Sequence, residues 1–114
     1  MGFTLNKLQV DADTDPHGFN SESFKVVIET HRVFLQTHAK TSLVPMEGIE
    51  HVLFRGSFDG WLFSKNIAEK YHWSIARIND LSSCSDYDGI KRAFLIPDLN
   101  VLDGLLQVHS SIKN

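Results

Sequence analysis

Only one cysteine, Cys84, occurs in the 114 residues, so no disulfide can close within the chain and a bridge-held scaffold is excluded. No apolar run approaches the roughly 18 residues that a membrane helix requires. The first residues lack a basic stretch followed by an apolar one, which predicts no secretion signal. Excess positive charge is also missing. Lys and Arg number 11 against 14 Asp and Glu, a formal net charge of −3, whereas non-specific nucleic-acid binding relies on cations that displace counterions from phosphates. Internal repeats and low-complexity tracts are absent. Asp, His, Ser and Cys occur, but nothing spaces them as a triad, so the sequence supports no catalytic residue. These absences predict a non-enzymatic protein that folds in a cytoplasm, without membrane or cofactor.

What is present fits a folded domain. Hydrophobic residues make up 42% of the chain and charged residues 22%. Eight Phe and two Trp supply large apolar bodies for a core or an interface. The length suits one domain, or one small domain with an arm. The chain is organised around Ile67–Leu81, IAEKYHWSIARINDL. Phe63, Ile67 and Tyr71 are four apart and share one helical face; Ile75, Ile78 and Leu81 are three apart and share another. The spacing predicts two short helices with a break at His72–Trp73.

Around that centre the chain reads as follows. Residues 1–10 alternate at Phe3, Leu5, Leu8 and Val10, as a short strand or an extended arm would. Residues 11–20 are turn-formers and charges. Asp11, Asp13, Asp15 and Glu22 match the ligand spacing of a calcium loop, but Pro16 stands where that loop needs glycine, so the reading is an acidic turn without metal. Residues 21–40 place Phe24, Val27, Ile28, His31, Leu35 and His38 at helical spacing. Ser21 or Ser23 is the N-cap, although the β-branched content pulls towards a strand pair. His31 and His38 are too far apart for paired ligands on a helix. TSLVPMEG (41–48) reads as a connector. IEHVLFR (49–55) reads as a strand ending at Gly56. A helix capped by Ser57 or Asp59 then runs through Tyr71, and a second, capped by Ser74, runs to about Leu81. KRAFLI (91–96) reads as a strand stopped by Pro97. Leu99–Val108 reads as a helix weakened by Gly104.

Two readings follow from the central pair of helices. As a helix-turn-helix, Ala68 is the small residue at the crossing and Ser74 starts the recognition helix. Its outward residues are Arg77, Asn79 and Asp80, with Lys65 and Lys70 offset by acids, where a base reader brings several Arg and Lys. The other reading uses more of the chain. HVLF before Gly56, Trp61–Leu62, IAEKY, Asn79, Leu81 and FLIP at 94–97 give the order strand, helix, helix, strand. In that order the sequence resembles the LysM family. Its departures, a shorter span from Ile67 to Asn79 and GSFDG in place of a Gly-Asp pair, fall at the loops that form the family's glycan groove. Trp73 with SIARINDL and the strand ending IPD resembles the LysM-like baseplate wedge proteins of contractile-tailed bacteriophages.

The expectation is therefore α+β: a LysM-like βααβ core over 49–97, an N-terminal arm and helix over 1–48, and a C-terminal helix and tail over 98–114. The resemblance implies a structural adaptor of a tail baseplate. It would be assembled in the host cytoplasm, carried in the virion, and present in several copies of a symmetric assembly. Its partners would be other baseplate and tail proteins, not membrane or nucleic acid. Aromatic residues dominate interfaces, so Trp61, Phe63, Trp73, Phe94, Phe24 and Phe34 are the interface candidates. A small helix-turn-helix regulator and a peptidoglycan-binding LysM module are the alternatives.

Overall fold

The computed structural model describes residues 18–113, with side chains as far as Ser110. The calcium-like spacing at Asp11, Asp13 and Asp15, and the arm over 1–10, lie outside the described residues. The architecture is α+β, with six α-helices and one two-stranded antiparallel sheet among the described residues.

Residues 21–40 are helical, in two pieces. Helix α1 (Glu22–Thr30) is capped by Ser21, whose hydroxyl accepts from the Phe24 N–H, and Glu22 stands at its positive end. Its buried face is Phe24 and Ile28. The helix breaks at His31 and resumes as α2 (Arg32–Thr37), which buries Leu35. At the break, the Thr30 hydroxyl donates to Val26 O at 2.8 Å and His31 Nδ1 contacts Val27 O at 2.8 Å. Side chains that compete for helical carbonyls bend or end a helix.

The expected connector contains the first strand. Strand β1 (Ser42–Pro45) pairs antiparallel with β2 (Ala93–Ile96), Leu43 opposite Leu95 and Val44 opposite Phe94. Pro45 is compatible with this because of where the ladder bonds fall. The Met46 N–H donates to Arg92 O, so hydrogen-bonded pairs recur at alternate positions and skip Pro45, whose missing N–H points away from β2. Residues 49–55 are not the strand that the sequence suggests. They form helix α3 (Glu50–Leu53), and Leu95 pairs with Leu43 rather than with Val52 and Phe54. The reason is local. Gly48 turns the chain at φ 56° and the Glu50 carboxylate accepts the Glu47 N–H at 2.8 Å, which starts a helical turn. Gly56, at φ 75°, ends the segment.

Helix α4 (Phe58–Ser64) is capped by Ser57 and stops well before Tyr71. Asn66 takes a left-handed φ of 63°, its N–H donates to Phe63 O at 2.9 Å and the Ile67 N–H returns to Leu62 O at 3.0 Å, a C-terminal lock of the Schellman type. A 3-10 turn (Glu69–Tyr71) then leads into α5 (His72–Ile78). The break between the paired helices is thus at Asn66, not at His72–Trp73. Ser74 is buried inside α5 instead of capping it. Asp80, at φ 66°, ends α5. Helix α6 (Leu99–Lys113) is longer than expected, and Gly104 has open space beside it.

One core joins all of these except α3. Phe94 lies against Phe58, Trp61 and Tyr87, with ring centroids 4.6, 5.4 and 5.3 Å away. The same cluster takes in Phe24, Ile28 and Leu35 from α1 and α2, Ile75 and Ile78 from α5, and Leu102 from α6. The boundaries expected near residues 48 and 97 therefore do not separate cores: α1, α2, β1 and α6 pack into the same interior as residues 49–97.

Candidate functional site

The six aromatic candidates fall into two groups. Trp61, Phe94 and Phe24 are fully buried, so they hold the chain's own interior and have no area to offer a neighbour. The sequence reading of these three as interface anchors is corrected on that ground. Trp73 is half-buried, with Lys25 Nζ 5.1 Å from its ring centre. Phe63 and Phe34 are 53% and 48% exposed. Phe63 lies edge-on to His72, and Phe34 sits between His31 and His38.

A further set of exposed apolar side chains lies at α3 and the 87–92 loop. Helix α3 buries none of its residues. Ile49, Val52 and Leu53, at 64%, 61% and 64% exposed, stand at i, i+3 and i+4 and so share one face. Ile90 is 76% exposed. Sequence reasoning missed this face because it counted Ile49, Val52 and Phe54 as a strand. The spacing of Ile49, Val52 and Leu53 was the available clue.

Polar ties fix α3 with that face outward. The Glu50 carboxylate accepts from Glu47 N–H and from Trp61 Nε1–H at 3.2 Å, and Lys65 Nζ lies 3.7 Å away. The Glu47 N–H is the main cause holding the Glu50 carboxyl below its ordinary range. Phe54 rests on α4 where a side chain at Gly60 would come within 3.0 Å of the ring. The 87–92 loop is joined to α3: Gly56 N–H donates to Tyr87 O at 2.7 Å, and Gly89 approaches His51 O and the Arg55 stem. Tyr87 in turn donates to Lys91 O. Arg55, Lys91 and Arg92 are exposed and, among the described residues, have no carboxylate partner.

The fold also assembles a Cys–His–Asp group that no sequence spacing suggested. His72, from α5, is buried, with Nδ1 at 2.9 Å from Asp59 Oδ1 and Nε2 at 2.8 Å from Ile67 O. Cys84 Sγ donates to His72 O at 3.7 Å. The arrangement is unsuited to nucleophilic catalysis. The thiol contacts the His72 backbone carbonyl and not the ring, whose two nitrogens are directed at Asp59 and Ile67 O, so no base is placed to take the thiol proton. Burial first, and Asp59 second, push the thiol upward, away from the reactive thiolate. The group ties α4, the Asn66 turn and the 84–86 segment together. Among the described residues no cluster of three or more His, Cys, Asp or Glu could hold a metal, and no helix is long and apolar enough to cross a membrane.

Asn79 has a structural task as well. Its side-chain amide donates to Ile75 O at 2.8 Å and to Leu95 O at 2.9 Å, and its carbonyl accepts the Leu95 N–H at 2.7 Å. The carboxamide thus stands in for a third strand along the outer edge of β2. Two of the three cations that a helix-turn-helix would present are engaged with acids, Arg77 with Glu29 and Lys65 with Glu50, while Lys70 lies over the Phe19 and Tyr71 rings. An open cleft of about 270 Å³ between α1 and α6 is lined by Val27, His31, Leu105, Val108 and His109. Family models, curated proteins and solved structures contain no match to this chain.

Proposed function

We propose that this chain is a non-enzymatic structural adaptor that packs between neighbouring subunits of a larger assembly, and that the assembly is the tail baseplate of a contractile-tailed bacteriophage. The single observation that carries the adaptor reading is α3. A helix with no buried residue, which with its N-cap Ile49 exposes three aliphatic side chains, needs a partner to cover it, because exposed apolar patches mark interaction sites. The baseplate assignment rests on the resemblance of the order strand, helix, helix, strand. With β1 at Ser42–Pro45 as the first strand, the LysM-like unit would comprise β1, α4, α5 and β2, with α3 inserted after the first strand. Partners are then other baseplate and tail proteins, in several copies, within the virion.

Function on this reading is geometric. The aromatic core and the Asn79 closure keep the unit rigid, and α3 supplies the area that a neighbour buries. Immunogold labelling and mass spectrometry of purified particles test it. The chain should be found in the tail, at a copy number matching the baseplate symmetry. Complete, infectious particles that lack it would overturn the proposal.

A further inference from the structure

We infer that the face formed by α3 and residues 90–92 receives an amphipathic helical segment of a partner protein that carries acidic residues beside its apolar stripe. The inference deepens the adaptor reading and rests on it only for which protein supplies the segment. Its apolar centre is Ile49, Val52 and Leu53, all well exposed, with the exposed Ile90 on the loop that Gly89 brings against His51 and Arg55. Its rim is cationic: Arg55 at the end of α3, held beside Gly89, and Lys91 and Arg92 next to Ile90. The acids nearby are Glu47, Glu50 and Asp88; the Glu50 carboxylate is tied to Trp61 and Lys65, and the Asp88 carboxylate is folded back onto the Ile90 N–H at 2.9 Å.

Charge placement selects the occupant. The chain is acidic as a whole, at −3, and Lys25, Arg32, Lys65 and Arg77 are paired with carboxylates. Of the described cations without such a partner, three of the five (Lys40, Arg55, Lys70, Lys91 and Arg92) stand at this one rim. Complementary charge steers encounter and fixes register around an apolar centre, and helices dock by an i, i+3, i+4 stripe. An anionic membrane is disfavoured because Glu47 and Asp88 would face its headgroups and the face holds no Trp or Tyr, the residues enriched at such interfaces. Nucleic acid is disfavoured by four aliphatic side chains where bases or phosphates would lie.

The test uses the full chain, isotope-labelled for NMR, and three synthetic peptides of about five helical turns sharing one leucine stripe. Their polar positions are Glu, Gln or Lys. The Glu peptide should bind at least about tenfold more tightly than the Gln peptide, and the Lys peptide more weakly still. Amide shifts should centre on residues 49–55 and 90–92. R55E/K91E/R92E should reverse the order of the peptides, and V52D/L53D should abolish binding of all three. Both sets of changes lie on exposed positions, and an unchanged circular dichroism melt verifies that the fold is intact. Equal affinity for the three peptides, or shifts centred elsewhere, would overturn the inference. So would capture of the chain by phosphatidylglycerol vesicles in place of the Glu peptide. Absence of the chain from virions would remove the baseplate reading and leave the peptide result standing.

Discussion

Asn79→Asp alters hydrogen-bonding chemistry with almost no change of shape, and it isolates the closure of the β2 edge. In the native protein the amide nitrogen donates twice, to Ile75 O and Leu95 O, and the amide oxygen accepts once, from Leu95 N. An aspartate keeps the acceptor but turns both donors into a carboxylate oxygen facing two carbonyls. Each lost hydrogen bond is worth about 1 kcal/mol net, and each buried group left unpaired costs about 1–3. Asn79 is 3% exposed, so the new charge also loses hydration. The substitution should therefore cost about 3–4 kcal/mol at neutral pH, against about 2–3 for Asn79→Ala, which removes the side chain without adding charge. The sign with pH follows. In the folded state the introduced carboxyl is held above its unfolded value of about 3.9. Its protonated form can donate again, so the deficit shrinks below the unfolded value and grows as pH rises through the folded one. Urea melts near pH 4 and pH 7, both read against the native chain, give the difference directly. A variant within about 0.5 kcal/mol of native at pH 7, or a deficit independent of pH, would refute the peptide-mimic role of Asn79.

Three further outcomes are expected. Leu43→Pro removes only an outward N–H, because Leu43 is paired in register with Leu95, whose own N–H and C=O face Asn79; it should cost less than Val44→Pro, which breaks the ladder and should cost about 3 kcal/mol or more by thermal melt. Glu29→Gln should cost about 1 kcal/mol, since the Arg77 guanidinium grips a half-exposed carboxylate. The Arg77 contact lowers the Glu29 carboxyl, so this contribution is present above the unfolded value of about 4.3 and is lost as pH falls through the folded one; acid titration of the two melts should converge. Cys84 should react with a disulfide probe at least about tenfold more slowly in the native state than in urea, because its thiol is pushed upward by burial; equal rates would show that the thiol is open.

The helices were legible where caps and spacing agreed. Ser21 and Ser57 cap α1 and α4 as their positions suggest, and Phe24, Ile28, Ile75 and Ile78 form buried stripes. FLIP reads as a strand because Pro97 stops it. The misreadings arose where a local rule was overridden. Pro45 made 41–48 look like a connector, yet its missing N–H falls on the side of β1 that β2 does not use. Residues 49–55 looked like a strand by composition, and Gly48 with Glu50 made them a helix instead. Trp61 and Phe94 were singled out for size, which cannot distinguish an interior ring from an interface ring. The grouping of Asp59, His72 and Cys84 depends on the Asn66 turn and on chain segments far apart in sequence. No spacing rule reports such a contact.

Helix α3 is attached to the domain through Glu50, the Phe54 ring and the 87–92 loop, with none of its own residues buried. A segment joined by polar ties opens at far lower free energy than one anchored by apolar side chains. This outward turn should therefore open before the aromatic interior does, with faster amide exchange at residues 50–55 than in the core helices as the measurement that checks it. On the proposed adaptor reading, that gives the domain a compliant joint on a stiff body, with which subunits meeting at slightly different angles would be fitted without refolding either one.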